Sequence, residues 1–91
     1  MIESESLARL EKDMRAMLDA SAFLSSEEKD EVLHFVDVGE YGVALETLCA
    51  IIQEESKSIS QATYGAIDEL RRRMDLPPET CELIRPTSGT P

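Results

Sequence analysis

Residues 25–55 read SSEEKDEVLHFVDVGEYGVALETLCAIIQEE, and this stretch decides the fold. Val32, Phe35, Val36 and Gly39 fall at i, i+3, i+4 and i+7, one stripe of a helix with about 3.6 residues per turn. Tyr41, Ala44, Leu45, Leu48, Cys49 and Ile52 repeat that spacing immediately afterwards. Gly39 is the position where the chain can turn left-handed, end one helix and let the next begin almost at once. So short a connection lays the two helices side by side and antiparallel, with their apolar stripes on a common core.

Signals outside this hairpin extend the helical pattern. Ser25-x-x-Glu28 fits a capping box, in which a hydroxyl and a carboxylate exchange hydrogen bonds with free backbone N–H groups. Leu24 precedes it as a candidate staple. An earlier helix is expected from about Ser4 or Glu5 to Ala20, burying Leu7, Leu10, Met14, Met17 and Leu18. Glu5–Arg9 and Glu11–Arg15 pair along its surface. After the polar Ser56-Lys57-Ser58, Ser60 is the N-cap expected for QATYGAIDELRRRM, whose inward set is Tyr64, Ile67, Leu70 and Met74. Asp68–Arg72 and Glu69–Arg73 are its i, i+4 pairs. Gly65 inside it costs about 1 kcal/mol of helix propensity, which suggests a close backbone approach there. Pro77-Pro78 stops that helix. Cys81, Leu83 and Ile84 then pack back after one short turn, and residues 85–91 form a flexible tail. The expected fold is all-α: a small antiparallel bundle of four main helices with a short C-terminal helical turn, one domain over residues 1–84.

Nine basic residues against nineteen acidic give a net charge of −10 over 91 residues. The imbalance is local. Residues 27–55 carry nine acids and one base, whereas residues 56–91 balance and residues 1–26 sum to −2. Such a surface disfavours nucleic acid and anionic lipid and attracts a basic partner at a salt-sensitive rate. An acidic N-terminal stretch and the lack of a long apolar run point to a cytoplasmic protein without an export signal or membrane span. Cys49 lies on an apolar stripe and is expected to be a buried thiol; pairing with Cys81 stays open.

A search for chemistry finds none, and no cofactor or metal is expected. His34 is the single histidine and stands among acids on an outward face, with no nucleophile placed beside it. Glu31-x-x-His34 points away from the core, unlike carboxylate metal sites in bundles. Neither acidic cluster has the order of a calcium-binding loop, and Gly39 and Gly42 belong to a helix corner rather than a phosphate cradle. No Asp-Ser dipeptide is available to carry an acyl-carrier prosthetic group. Arg71, Arg72 and Arg73 suit a helix C-terminus.

What remains is binding. Glu27, Asp30, Glu31, His34, Asp37, Glu40 and Glu46 lie opposite the apolar stripes, with Val38 and Val43 off the inward stripes beside them. Surface acids of this kind also serve solubility, and their concentration in one hairpin is what favours a partner-binding face. Two partner classes fit a small helical binder. One is a basic protein surface; the other is a peptide or helix held in an apolar groove, as in tetratricopeptide-like adaptors.

The corner segment Phe35-Val36-Asp37-Val38-Gly39-Glu40-Tyr41-Gly42-Val43-Ala44-Leu45-Glu46-Thr47-Leu48 resembles the MafI-type family of bacterial immunity proteins. Those share the pattern aromatic-x-x-x-Gly-Glu-Tyr-x-x-Ala-x-Glu-x-Leu, and the later helix from Ile67 to Met74 looks like their continuation. The resemblance covers most of residues 30–76 and implies a cytoplasmic antidote that binds and silences a cognate toxin, often a nuclease. It transfers no contact residues. It implies structural roles at the corner: Tyr41 in the hairpin core, Gly39 turning the chain, Glu40 capping or pairing locally.

Overall fold

The computed structural model describes residues 2–81 and residue 84, with side chains from residue 7 onward. Four helices make the bundle: α1 (Ile2–Asp19), α2 (Ser26–Asp37), α3 (Tyr41–Glu54) and α4 (Gln61–Arg73), followed by a 3₁₀ turn at Pro78–Cys81. The all-α expectation holds, with α1 starting two residues earlier than its first polar cap candidates. The α2–α3 pair shares the largest interface. Helix α1 lies on α2 and α4, and the 3₁₀ turn bridges α3 and α4. Residues 85–91 and Leu83 lie outside the described residues, so the expected tail and that one packing residue do too.

Side-chain caps open α2 and α4, and left-handed turns close α2, α3 and α4. Ser25 accepts from the Glu28 N–H at 3.1 Å while the Glu28 carboxylate accepts from the Ser25 N–H at 2.9 Å, the capping box read from sequence. Ser60 accepts from the Thr63 N–H at 3.0 Å and opens α4. At the other ends, three Schellman caps recur. Gly39 (φ +82°) lets its own N–H reach the Val36 carbonyl and the Glu40 N–H reach Phe35 at 2.8 Å. Ser56 (φ +52°) and Asp75 (φ +59°) hold the same left-handed position after α3 and α4, with Lys57 N–H on Ile52 and Leu76 N–H on Arg71. The Arg71 guanidinium also donates to the Leu76 carbonyl at 3.0 Å, which fixes the last of these turns.

The core joins Leu10, Met14 and Leu18 of α1 to Val32 and Val36 of α2, to Ala44, Leu45, Leu48, Cys49, Ile51 and Ile52 of α3, and to Ile67 and Leu70 of α4. Leu24, Ile59, Cys81 and Ile84, all between or beyond the main helices, are buried with them. Phe35, Tyr41, Tyr64, Met17 and Met74 are half-buried at its margin. Three expectations need correction. Leu7 is 52% exposed, because α1 extends past the elements that cover its later turns. A Cβ at Gly65 would meet nothing within 4 Å, so no backbone approaches it. Arg73 does not serve Glu69 but reaches across to Asp13 of α1 at 2.8 Å, an interhelix pair that an i, i+4 rule cannot see.

A polar clamp ties α1 to the hairpin corner. Arg15 holds Glu11 at 2.9 Å within α1 and Asp37 of α2 at 2.7 Å, and the Tyr41 hydroxyl donates to Glu11 at 3.1 Å. The resulting hydrogen bond from Arg15, then that from Tyr41, lowers the pKa of Glu11; burial, then Glu11, raises that of Tyr41. Glu28 is held below its ordinary value of 4.5 by the Ser25 backbone N–H first and then by Lys57, whose ammonium lies 3.0 Å away.

Two tests follow from these contacts. Substituting Gly39→Ala should destabilise by about 1–2 kcal/mol through backbone strain alone, since space for the Cβ exists. Ser56→Gly and Asp75→Gly should each stabilise by up to about 1 kcal/mol, the relief of strain being partly offset by glycine's freer unfolded chain; chemical denaturation measures all three. The second test concerns acid. A carboxylate with a depressed folded pKa stabilises above its ordinary pKa, and that stabilisation disappears as the pH falls through the lower folded value. Glu28→Gln should therefore melt below wild type at about pH 7, and the gap should narrow as the pH falls well below the ordinary value of 4.5. Melting curves at both ends of that range decide it, and a gap independent of pH would show that the charge contributes nothing.

Candidate functional site: the acidic outer face of the α2–α3 hairpin

The candidate residues sit where helical geometry dictates. On α2, Glu27, Asp30, Glu31 and His34 follow each other at i, i+3, i+4 and i+7, the turns opposite Val32 and Val36, and all four are exposed. On α3, Val43 and Glu46 are exposed on either side of the buried pair Ala44–Leu45. Asp37, Val38 and Glu40 are exposed at the corner itself. The hairpin thus carries all nine residues outward, on two rigid helices joined by a turn whose backbone bonds are satisfied.

Their charges are not equally available. Asp37 is 60% exposed, yet Arg15 lies 2.7 Å from its carboxylate and offsets much of its field. Glu28, the remaining acid of the first turn of α2, is taken by Lys57 and by the cap. Glu27, Asp30, Glu31, Glu40, Glu46, Glu54 and Glu55 are exposed and have no ion-pair partner among the described residues. Glu40 was expected to cap or pair locally. It occupies the N-cap of α3 but makes no side-chain cap bond, because its backbone is committed to the Schellman turn and its carboxylate points to solvent. The charge still lies near the positive end of the α3 dipole, which favours an anion there.

The nearest basic group on α2, Lys29, turns away from this strip. Its ammonium lies 3.5 Å from the carbonyl of Asp19 at the end of α1. Together with Arg15 it borders a shallow groove of about 380 Å³ between α1 and α2, floored by Ala16, Leu18 and Leu33. The cations of this region thus gather on the α1 side of the hairpin. His34 lies edge-on to Phe35, ring centroids 5.3 Å apart and planes at 72°, so its imidazole is braced against the half-buried aromatic ring.

Apolar contact area is sparse but well placed. Val38 is 58% exposed and Val43 38% exposed, one on each side of Gly39-Glu40. Leu7 on α1 is the third large apolar side chain in the open among the described residues. Leu7 was missed as a surface residue because it continues the periodicity of the buried stripe.

Chemically, the arrangement offers acceptors and negative charge without a nucleophile beside a base. Among the described residues, no three His, Cys, Asp or Glu side chains converge on a point where a metal ion would sit. No helix among them is long and apolar enough to cross a membrane. The face is suited to receiving a cationic surface: fixed carboxylates at its centre, two valines at its edge. No protein-family model matches the chain, and neither a curated protein nor a solved structure matches it.

Proposed function

We propose that this chain is a cytoplasmic immunity protein that binds a cognate bacterial toxin, a nuclease in this reading, and blocks its basic active site. The observation that carries the proposal is the set of seven carboxylates without ion-pair partners among the described residues, all on or directly after the α2–α3 hairpin. Elsewhere Glu11, Asp13 and Asp68 each face an arginine, while Asp19, Glu69, Asp75 and Glu79 are exposed without an ion pair among the described residues, so what sets the hairpin apart is density: nine acids against one base in residues 27–55. The resemblance of the Phe35–Leu48 segment to MafI-type immunity proteins supports the same reading.

A nuclease site matches this face on electrostatic grounds, since it is built to hold phosphates. A group of outward carboxylates presents charge of the same sign, associates rapidly and offers no scissile bond. Val38 and Val43 supply the apolar contacts that slow dissociation, while the exposed charges act mainly on the rate of encounter. The interface of a specific complex buries about 1,600 Å² in total. A helical adaptor with a peptide groove is the rival reading. It differs in one measurable respect, because binding through apolar area changes little with salt.

The test looks beside the gene for a secreted protein with a variable C-terminal region and co-expresses that region with the chain; a locus without such a protein would count against the proposal. Co-expression should protect cells, and absence of protection would end the proposal. Asp30→Lys with Glu31→Lys, which leaves the Arg15–Asp37 clamp untouched, should slow association by about tenfold at low salt, with the difference shrinking towards 0.5 M salt as screening takes over. Stopped-flow association rates measure this, and circular dichroism should show unchanged helix. Equal rates for variant and wild type would remove the acidic strip from the mechanism.

A further inference from the structure

Cys49 and Cys81 bring their sulfur atoms to 3.0 Å of each other in the core, 32 residues apart in sequence. Both are free thiols, 4% and 3% exposed. Cys49 projects inward from α3, one turn past the outward Glu46. Cys81 closes the 3₁₀ turn that packs on α3 and α4. The flanking residues hold the two side chains together. Leu48 and Ile52 fix that side of α3 in the core, and Ile84 buries the chain just beyond Cys81, its N–H bonded to the Cys81 carbonyl. Two thiols in contact within a packed core need only a small side-chain adjustment to reach bonding distance, with no rearrangement of the helices.

We propose that Cys49 and Cys81 form a reversible dithiol–disulfide couple that latches the C-terminal turn to α3 in response to low-molecular-weight disulfides such as glutathione disulfide. The order of steps follows from the surroundings. Cys81 is the attacking sulfur. Either sulfur can donate the hydrogen bond they share; with Cys49 donating, that bond and the nearby Arg71 guanidinium lower the pKa of Cys81 against the opposing effects of burial and Asp68. The pKa of Cys49 is pushed far upward by that same bond and by burial, so it keeps its proton until the second step. A four-residue 3₁₀ turn held by one turn of backbone bonds opens at lower cost than any of the four helices, and that opening gives Cys81 access to reagent.

In the first step the Cys81 thiolate attacks one sulfur of glutathione disulfide. The S–S bond of the reagent breaks, a mixed disulfide forms on Cys81, and one glutathione thiolate leaves with a proton from solvent. In the second step the Cys49 thiol loses its proton, its sulfur attacks Cys81, and the second glutathione departs as a thiol. The protein dithiol loses two electrons and two protons in total; glutathione disulfide gains both. A reducing glutathione pool reverses the sequence, which suits a protein whose cysteines are free at rest.

The experiment equilibrates the full chain in glutathione buffers of increasing disulfide fraction, traps free thiols by alkylation and reads intact mass and melting temperature. The expected product is a monomer about 2 Da lighter that takes up no alkylating reagent, since both thiols are consumed. Closing a loop of this length should raise its melting temperature by about 10 °C or more, reversibly on reduction. Cys81→Ser and Cys49→Ser should each abolish both changes, and the oxidised-against-reduced comparison on wild type needs neither variant to fold. A stable glutathione adduct without ring closure overturns the proposal. So does a disulfide-linked dimer, a melting temperature unchanged by oxidation, or two free thiols at every buffer ratio. None of these readouts involves the acidic face, so the couple and the proposed inhibition of a toxin stand or fall separately.

Discussion

The left-handed turn at Gly39 is the constraint on which the rest of the hairpin depends. Its φ of +82° lets two N–H groups return to Val36 and Phe35, so α2 can stop with its carbonyls satisfied and α3 can start at Tyr41. Because only three residues separate the helices, the phase of one determines the phase of the other. Val32 and Val36 face Ala44, Leu45 and Leu48, and the residues opposite them are forced outward. The acidic face is therefore a consequence of where the apolar residues go. Nothing crowds the Cβ position of Gly39, so what the glycine supplies there is backbone freedom rather than room.

Relative magnitudes show what holds that face in place. Each large core side chain, such as Leu45, Leu48 or Ile67, contributes about 1.5–3 kcal/mol on burial. Exposed ion pairs such as Arg15–Asp37 contribute about 0–1 kcal/mol. Two like charges about 10 Å apart in water repel by about 0.4 kcal/mol before salt screens them. Burial thus exceeds the mutual repulsion of the carboxylates by a wide margin, and a bundle of this size tolerates a one-sided field. The ion pairs have a different part: Arg15 and Arg73 each span two helices, and they orient α1 against the corner and against α4 rather than supply the bulk of the stability.

How much of this was legible in the chain depends on the range of the interaction. The capping box at Ser25, the cap at Ser60, the turn at Gly39 and the stripes of α2 and α3 are local patterns, and each appears where the residues indicated. Features set by the meeting of distant segments were not readable. Ser56 and Asp75 take left-handed conformations at the ends of α3 and α4 where glycine is the usual residue, so composition did not mark them. Ile59 is buried directly after the polar Ser56-Lys57-Ser58, whereas the burial of Leu24 agrees with its reading as a staple. Leu7 carries the right periodicity but has no neighbour to cover it. Arg73 reaches Asp13, sixty residues away, in preference to the acid one turn before it. The nine candidate residues of the outer face were readable as exposed. That Arg15 would offset Asp37 was not, since the pair joins two helices.

In the proposed inhibitory role, the stiffness of this scaffold matters as much as its sign. Ordering a long, flexible acidic side chain at an interface costs about 0.5–1.5 kcal/mol of conformational freedom. An exposed ion pair returns little more than that, so a face made only of glutamates steers without gripping. Fixed backbones reduce part of this cost: Asp30 has a short side chain on a capped helix, and Glu40 is anchored by a turn whose N–H is already bonded. Val38 and Val43 have few rotamers to lose, and they stand on either side of that anchored turn. The encounter rate would then follow from the charges on α2 and α3, and the lifetime of the complex from the small apolar shoulder at the corner. Both trace back to the same short turn, because it sets the carboxylates and the valines at a fixed distance from one another.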